Sequence, residues 1–159
     1  MKVKPKIYVE TTIFSYLVAW PSRDVIVAAH QQITDEWWRT QRQFFELFAS
    51  QLVLREARAG DEEMAQRRLH TLEEVTLLEI TEDALELAED LINKGPLPRK
   101  AAEDAVHIAV AVVNGLDYLI TWNCKHIANA KMRDKIEQVC RARGYEPVII
   151  CTPEELLED

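Results

Sequence analysis

Short apolar runs alternate with longer segments of helical periodicity along most of the chain. "KIYVE" opens the series as a strand, and "TTIFSYLVAW" follows as a helix entered through a threonine cap and stopped near Pro21. "DVIVAAHQQITDEWWRTQRQFFELFA" carries apolar residues at helical spacing and predicts two helices or one bent helix. "SQLVLRE" predicts a short strand or a strand-to-helix turn, and "ARAGDEEMAQRRLHTLEE" a polar helix. "VTLLEI" is a β-branched strand. "TEDALELAEDLINKG" is a helix with Thr81 as its cap and Gly95 as its stop. After the loop "PLPRK", "AAEDAVHIAVAVVNG" is apolar on nearly every side, the mark of a buried helix. "DYLITWN" and "EPVIIC" are strands on either side of a basic helix, "CKHIANAKMRDKIEQVCRARG", and "TPEELLED" closes as a capped turn or short helix.

Short apolar strands separated by helices predict an α/β fold, with a small parallel sheet covered by helices on both faces. Ligands in such folds bind beyond the carboxyl ends of the strands. That rule draws attention to polar residues placed directly after strands. Glu10 ends the first strand and Asn123 ends "DYLITWN", so both belong to one predicted crevice. Asp104 and His107 lie three apart near the start of the buried helix and share a face. Glu56, in "LVLREARAG", is a third carboxylate candidate. Clustered carboxylates repel unless a counter-charge joins them. A hard divalent cation such as Mg²⁺ or Mn²⁺ supplies that charge through oxygen ligands and can activate water against a phosphodiester.

Composition narrows the options. A length of 159 residues suits one domain, and 48% hydrophobic content fits a soluble globular chain. No long uncharged apolar run is present to predict a membrane span, and Glu10 interrupts the apolar stretch that follows the basic start, so no signal peptide is expected. Three widely spaced cysteines, Cys124, Cys140 and Cys151, read as reduced thiols of a cytoplasmic protein. The net charge of −8 argues against a protein that coats nucleic acid. The charge is uneven, however. Residues 124–143 hold six bases against two acids, Lys2, Lys4 and Lys6 make a basic start, and residues 46–104 hold fifteen acids against seven bases. Cys124 and His126 offer too few ligands for a structural zinc site. Neither a phosphate-binding glycine loop nor a serine-hydrolase elbow is present. Trp37, Trp38, Phe44, Phe45 and Phe48 read as core or as a groove for a partner or a second copy, rather than as a platform for bases.

Four stretches, "IYVETTIFSYL", "LVLREARAGD", "AAEDAVHIAVA" and "YLITWNCKHIANA", in this order resemble the PIN-domain nucleases, and among them the VapC-like ribonuclease toxins of toxin–antitoxin pairs. The resemblance spans nearly the whole chain. It implies a three-layer sandwich and Mg²⁺- or Mn²⁺-dependent cleavage of RNA. It also implies an antitoxin protein as partner. Carried over by position, the acidic residues are Glu10, Glu56 and Asp104, with Asn123 at a fourth position that is commonly aspartate in a T-x-D pattern begun here by Thr121. Thr12 falls on the hydroxyl that orients the site, His107 would support it, and Lys125, His126, Lys131 and Arg133 would guide RNA. Glu10 in place of Asp and the neutral Asn123 depart from the pattern. They motivate an alternative reading, a binding or regulatory module with a degraded site.

Overall fold

The structure is a computed structural model that describes residues 3–158; Lys2, counted in the basic start, lies outside them. Five strands form one wholly parallel sheet in the order β3-β2-β1-β4-β5. They are β1 (Lys6–Val9), β2 (Glu46–Ser50), β3 (Thr76–Leu78), β4 (Tyr118–Ile120) and β5 (Ile149–Cys151). Seven α-helices complete the three layers: α1 (Thr11–Val18), α2 (Val25–Thr40), α3 (Gln51–Ala57), α4 (Glu62–Leu72), α5 (Glu82–Asn93), α6 (Ala102–Val113) and α7 (Ala130–Ala142). The three-layer parallel architecture read from the alternating pattern is therefore present.

Chain order explains where the crevice lies. From β1 the chain builds outward through β2 and β3, then returns to the other side of β1 for β4 and β5. The direction reverses between β1 and β4, the point at which α/β sheets open a cleft beyond their carboxyl ends. Ile7, Tyr8 and Val9 on β1 and Leu119 and Ile120 on β4 are fully buried beneath it. Helix α6 buries Ala105, His107, Ile108, Ala109, Val110, Ala111 and Val112, as its all-round apolar character predicts. Its chain turns back through Gly115, whose φ of +67° suits a residue without a Cβ.

Local details differ from the pattern-based reading in four places. The strand expected within "SQLVLRE" lies earlier, in "ELFAS", and "QLVLREA" is helix α3 capped by Ser50, whose hydroxyl accepts from the Leu52 and Val53 amides. The segment from Gln41 to Phe44 makes a tight turn that frees residues 46–50 for the sheet. The cap of α1 is Glu10 rather than a threonine, because its carboxylate accepts from the Thr12 amide. Helix α7 begins only at Ala130, since residues 123–129 are held as a turn by Asn123 and Asn129. Trp37 and Trp38 are core residues, Phe45 and Phe48 pack with them, and of that aromatic set only Phe44 is exposed. The three cysteines are free, with Cys140 and Cys151 buried. No helix among the described residues is long and apolar enough to cross a membrane.

Candidate metal centre

Three strand ends build the site. After β1 comes Glu10, 4% exposed, with its own amide still in the sheet ladder, donating to Ile120 O on β4. Its Oε1 accepts from three donors: the Thr12 amide at 3.2 Å, the Thr12 hydroxyl at 2.5 Å and the Thr121 hydroxyl at 2.6 Å. The two threonines are themselves fixed, since Thr12 Oγ1 accepts from Trp122 N and Thr121 Oγ1 accepts from Asn123 N. Glu10 Oε2 takes no hydrogen bond from the described residues. One oxygen is thus saturated and the other is left for something else.

After β2 comes α3, which ends near Glu56. Glu56 Oε1 accepts from Thr11 Oγ1 at 2.5 Å and meets His107 Nε2 at 2.8 Å. Burial alone would raise the Glu56 pKa. The hydrogen bonds from His107 and from the hydroxyl of Thr11 outweigh burial, with Glu103 beside the same carboxylate, and the net direction is downward. Ligand atoms of Glu10, Glu56 and His107 lie within 4.8 Å of one another.

His107 is fully buried, and the pattern of donors around it fixes its tautomer. Ser50 Oγ already accepts two amide hydrogens, from Leu52 and Val53, which fill its two lone pairs. Its own hydrogen therefore goes to Tyr8 Oη, 2.8 Å away. The Tyr8 hydroxyl then donates to His107 Nδ1 at 2.7 Å, and His107 Nε2–H donates to Glu56. Burial, with the charges of Glu10 and Glu56 adding to it, keeps the Tyr8 pKa well above its usual value, so this donor is retained. The result is a one-way chain, Ser50 to Tyr8 to His107 to Glu56. It spans β2, β1, α6 and α3 and orients the Glu56 carboxylate from behind.

The remaining expected residues are distributed differently. Asp104 stands one helical turn before His107, and its Oδ2 pairs with His126 Nδ1 at 3.1 Å rather than joining the Glu10–Glu56–His107 group. Asn123 Oδ1 accepts from the His126 amide, so this side chain holds the turn that carries His126 toward Asp104. Lys125 and Lys131 are exposed, whereas Arg133 turns toward β5 and donates to Ile150 O at 3.4 Å. Pattern reading gave no role to Tyr8, Ser50, Thr11 or Glu103. The available signals were a tyrosine in a buried strand, whose hydroxyl needs a partner, and a serine directly before a helix.

The donor set is suited to a hard divalent cation. Two carboxylates approach from separate elements, each with one oxygen engaged by neutral hydroxyl, amide or imidazole donors, and neither paired with a lysine or arginine among the described residues. Such a group leaves negative charge to be balanced by an ion.

Comparison with known proteins agrees with the architecture. The chain has the fold of Mycobacterium tuberculosis VapC20, a sarcin–ricin loop cleaving toxin, at a TM-score of 0.58 and 16% identity over 88% of this chain and 96% of that one. A chain of the Rickettsia felis VapBC2 complex, crystallised on a promoter DNA fragment, gives 0.57 and 15% over 92% and 97%. A chain of VapBC-1 from nontypeable Haemophilus influenzae gives 0.56 and 17% over 93% and 98%. No curated protein matches the chain by sequence. The PIN domain profile matches residues 7–130, a span that runs from β1 into α7 and contains every residue of the carboxylate group, and the chain belongs to the PIN domain family.

Proposed function

We propose that this protein is a divalent-metal-dependent endoribonuclease and the toxin of a toxin–antitoxin pair. The observation that carries this reading is the half-saturated carboxylate pair. Glu10 and Glu56 each have Oε1 engaged by fixed donors within a cluster 4.8 Å across, at the switch point of the sheet. Glu10 and Glu56 would hold Mg²⁺ or Mn²⁺, with Asp104 reached directly or through water. When bound, the cation supplies Lewis acidity toward a phosphodiester and lowers the pKa of a coordinated water. The protein's own part is positional. Thr12 and Thr121 fix Glu10, and the Tyr8–His107 pair fixes Glu56. Asn123 holds the turn of His126, which in turn pairs with Asp104. Lys125 and Lys131 follow β4 in the chain, are exposed, and would attract an RNA backbone.

An antitoxin, or a second copy in a homodimer, would need apolar surface. Trp20, Val25 and Ile26 at the α1–α2 junction are 64, 82 and 68% exposed and offer it.

The test combines calorimetry and cleavage. Mn²⁺ titrated into metal-free protein is expected to bind saturably, and Glu10→Gln and Glu56→Gln are expected to abolish that binding. Asp104→Asn is expected to abolish metal-dependent cleavage of single-stranded RNA. Undiminished cleavage by Asp104→Asn refutes the assignment. A folded wild type without carboxylate-dependent Mn²⁺ binding favours instead a binding module. The neutral Asn123, with its amide oxygen spent on the turn, favours that second reading.

A further inference from the structure

An aromatic cluster adjoins the carboxylate group. Trp122 directly follows Thr121, and its amide donates to Thr12 Oγ1, which in turn bonds Glu10. The Trp122 indole is buried, and its Nε1–H donates to Thr34 Oγ1 at 2.7 Å, so the ring is a fixed floor. The His30 imidazole lies flat on it, with centroids 4.0 Å apart and an interplanar angle of 11°. Tyr16 completes the group at 6.3 Å from both rings, tilted by 29° to His30 and 34° to Trp122. Tyr16 lies four residues after Thr12 on α1, which places it on the same face about one turn, roughly 5.4 Å, along the axis.

Two features distinguish these rings from ordinary core. Tyr16 and His30 are only half-buried. The Tyr16 hydroxyl and both His30 ring nitrogens make no hydrogen bond with any described residue, whereas the buried Tyr8, His107 and Trp122 all do. Tyr16 also lines an open groove of about 320 Å³ along α1 and α2, where Gln32 presents its amide while the Gln31 amide is engaged by Ser22 N and Trp20 O. That volume is in the range of small-ligand sites.

We propose that Tyr16 and His30, stacked over Trp122, form a nucleobase-binding subsite that holds an unpaired base of RNA next to the carboxylate centre. The inference rests on the ribonuclease reading and deepens it. Aromatic faces are the usual platform for splayed bases, and free hydroxyl and imidazole groups can meet base edges. A bound base would extend the existing Trp122–His30 stack, and its phosphate would lie toward Glu10 and Glu56. Selection for unpaired RNA would follow, because a base within a duplex cannot reach the rings.

The experiment uses the full chain with EDTA, so that no cleavage occurs. Fluorescence anisotropy reports binding of a labelled single-stranded oligoribonucleotide of mixed sequence, and of an abasic oligomer of the same length. Wild type is expected to prefer the intact RNA. Tyr16→Leu and His30→Leu are expected to weaken intact RNA by roughly tenfold to a hundredfold and to leave the abasic affinity unchanged, while Tyr16→Phe retains most of the binding. Two results overturn the proposal: leucine variants that bind intact RNA like wild type, or that lose affinity for both RNAs equally. Either leaves the ribonuclease reading standing. A wild type that binds neither RNA overturns the proposal too, and the ribonuclease reading is then decided by its own Mn²⁺ titration and cleavage assay.

Discussion

Replacing Tyr8 with phenylalanine is the sharpest test of the directional hydrogen-bond chain. The substitution removes one oxygen from a residue that is fully buried and packed edge-on against His107, with centroids 5.7 Å apart. His107 Nδ1 then loses its only donor. Switching tautomer gives no relief, because an Nδ1–H would face the phenyl ring and bare Nε2 would face the Glu56 carboxylate. The favourable compromise keeps Nε2–H on Glu56 and leaves Nδ1 buried and unpaired, at about 1–3 kcal/mol. Ser50 keeps its two amide donors but loses its acceptor, which adds about 1 kcal/mol. The expected total is about 2–4 kcal/mol, or a fall in Tm of about 5–15 °C for a chain of this size. Urea unfolding followed by circular dichroism measures it. In a His107→Leu background the same Tyr8→Phe change should cost about 1–2 kcal/mol less, since the partner is already gone. A cost below about 0.5 kcal/mol, or an equal cost in both backgrounds, refutes the chain.

Other expectations follow from separate parts of the molecule. Asp90 on α5 accepts from Arg143 Nε beyond α7 and lies 3.7 Å from Lys94, and the Arg143 contact, against the opposing effect of burial, holds its pKa below the usual carboxylate value. A depressed folded pKa contributes stability above the unfolded value, near 3.9, and loses it as pH falls through the folded pKa. Asp90→Asn should therefore be less stable than wild type by about 1–2 kcal/mol at pH 7, with the gap closing below about pH 4 in pH-dependent urea melts. A Cβ at Gly95 would stand 2.6 Å from the Leu91 carbonyl oxygen, so Gly95→Ala should cost about 1–3 kcal/mol, read by thermal melting. Thr121→Val removes the β4 donor to Glu10, and calorimetry should show Mn²⁺ affinity roughly tenfold to a hundredfold weaker with the fold retained.

What the sequence made legible was whatever depends on spacing along the chain. Strands β1, β4 and β5 and helices α5 and α6 are short apolar runs or strongly periodic segments, so they could be read directly. Glu10 stood out because a strand seldom ends on a lone acid. Strand β2 was obscured because Trp37, Trp38, Phe44, Phe45 and Phe48 continue a helix-like rhythm through a turn that contains neither glycine nor proline. "LVL" in α3 mimics a strand by composition, and only the Ser50 cap marks it as a helix start. Partnerships across the sheet were less visible still. Tyr8 meets Ser50 and His107 from 42 and 99 residues away, and His126 meets Asp104 from 22 away. Those pairs depend on register and helix rotation, which periodicity does not encode.

The engagement of Glu10 also determines how a cation should act on stability. A buried carboxylate costs several kcal/mol in lost hydration, but three donors on Oε1, two of them threonine hydroxyls fixed in turn by backbone amides, offset much of that cost without any ion. The metal-free protein is therefore expected to fold, unlike small domains whose folding free energy is their metal affinity. A preformed site adds stability only by mass action, as RT ln(1 + [L]/Kd), which is about 2.7 kcal/mol at a hundredfold excess over Kd. For a chain of this length that corresponds to a rise in Tm of about 5–10 °C on adding saturating Mn²⁺. Scanning calorimetry of the EDTA-treated protein, with and without Mn²⁺, measures both quantities. A cooperative transition in EDTA that rises with Mn²⁺, and that no longer responds in Glu10→Gln, is the expected pattern. An EDTA-treated chain with no cooperative transition refutes the argument, because the three donors on Oε1 would then be insufficient to hold Glu10 at the end of β1.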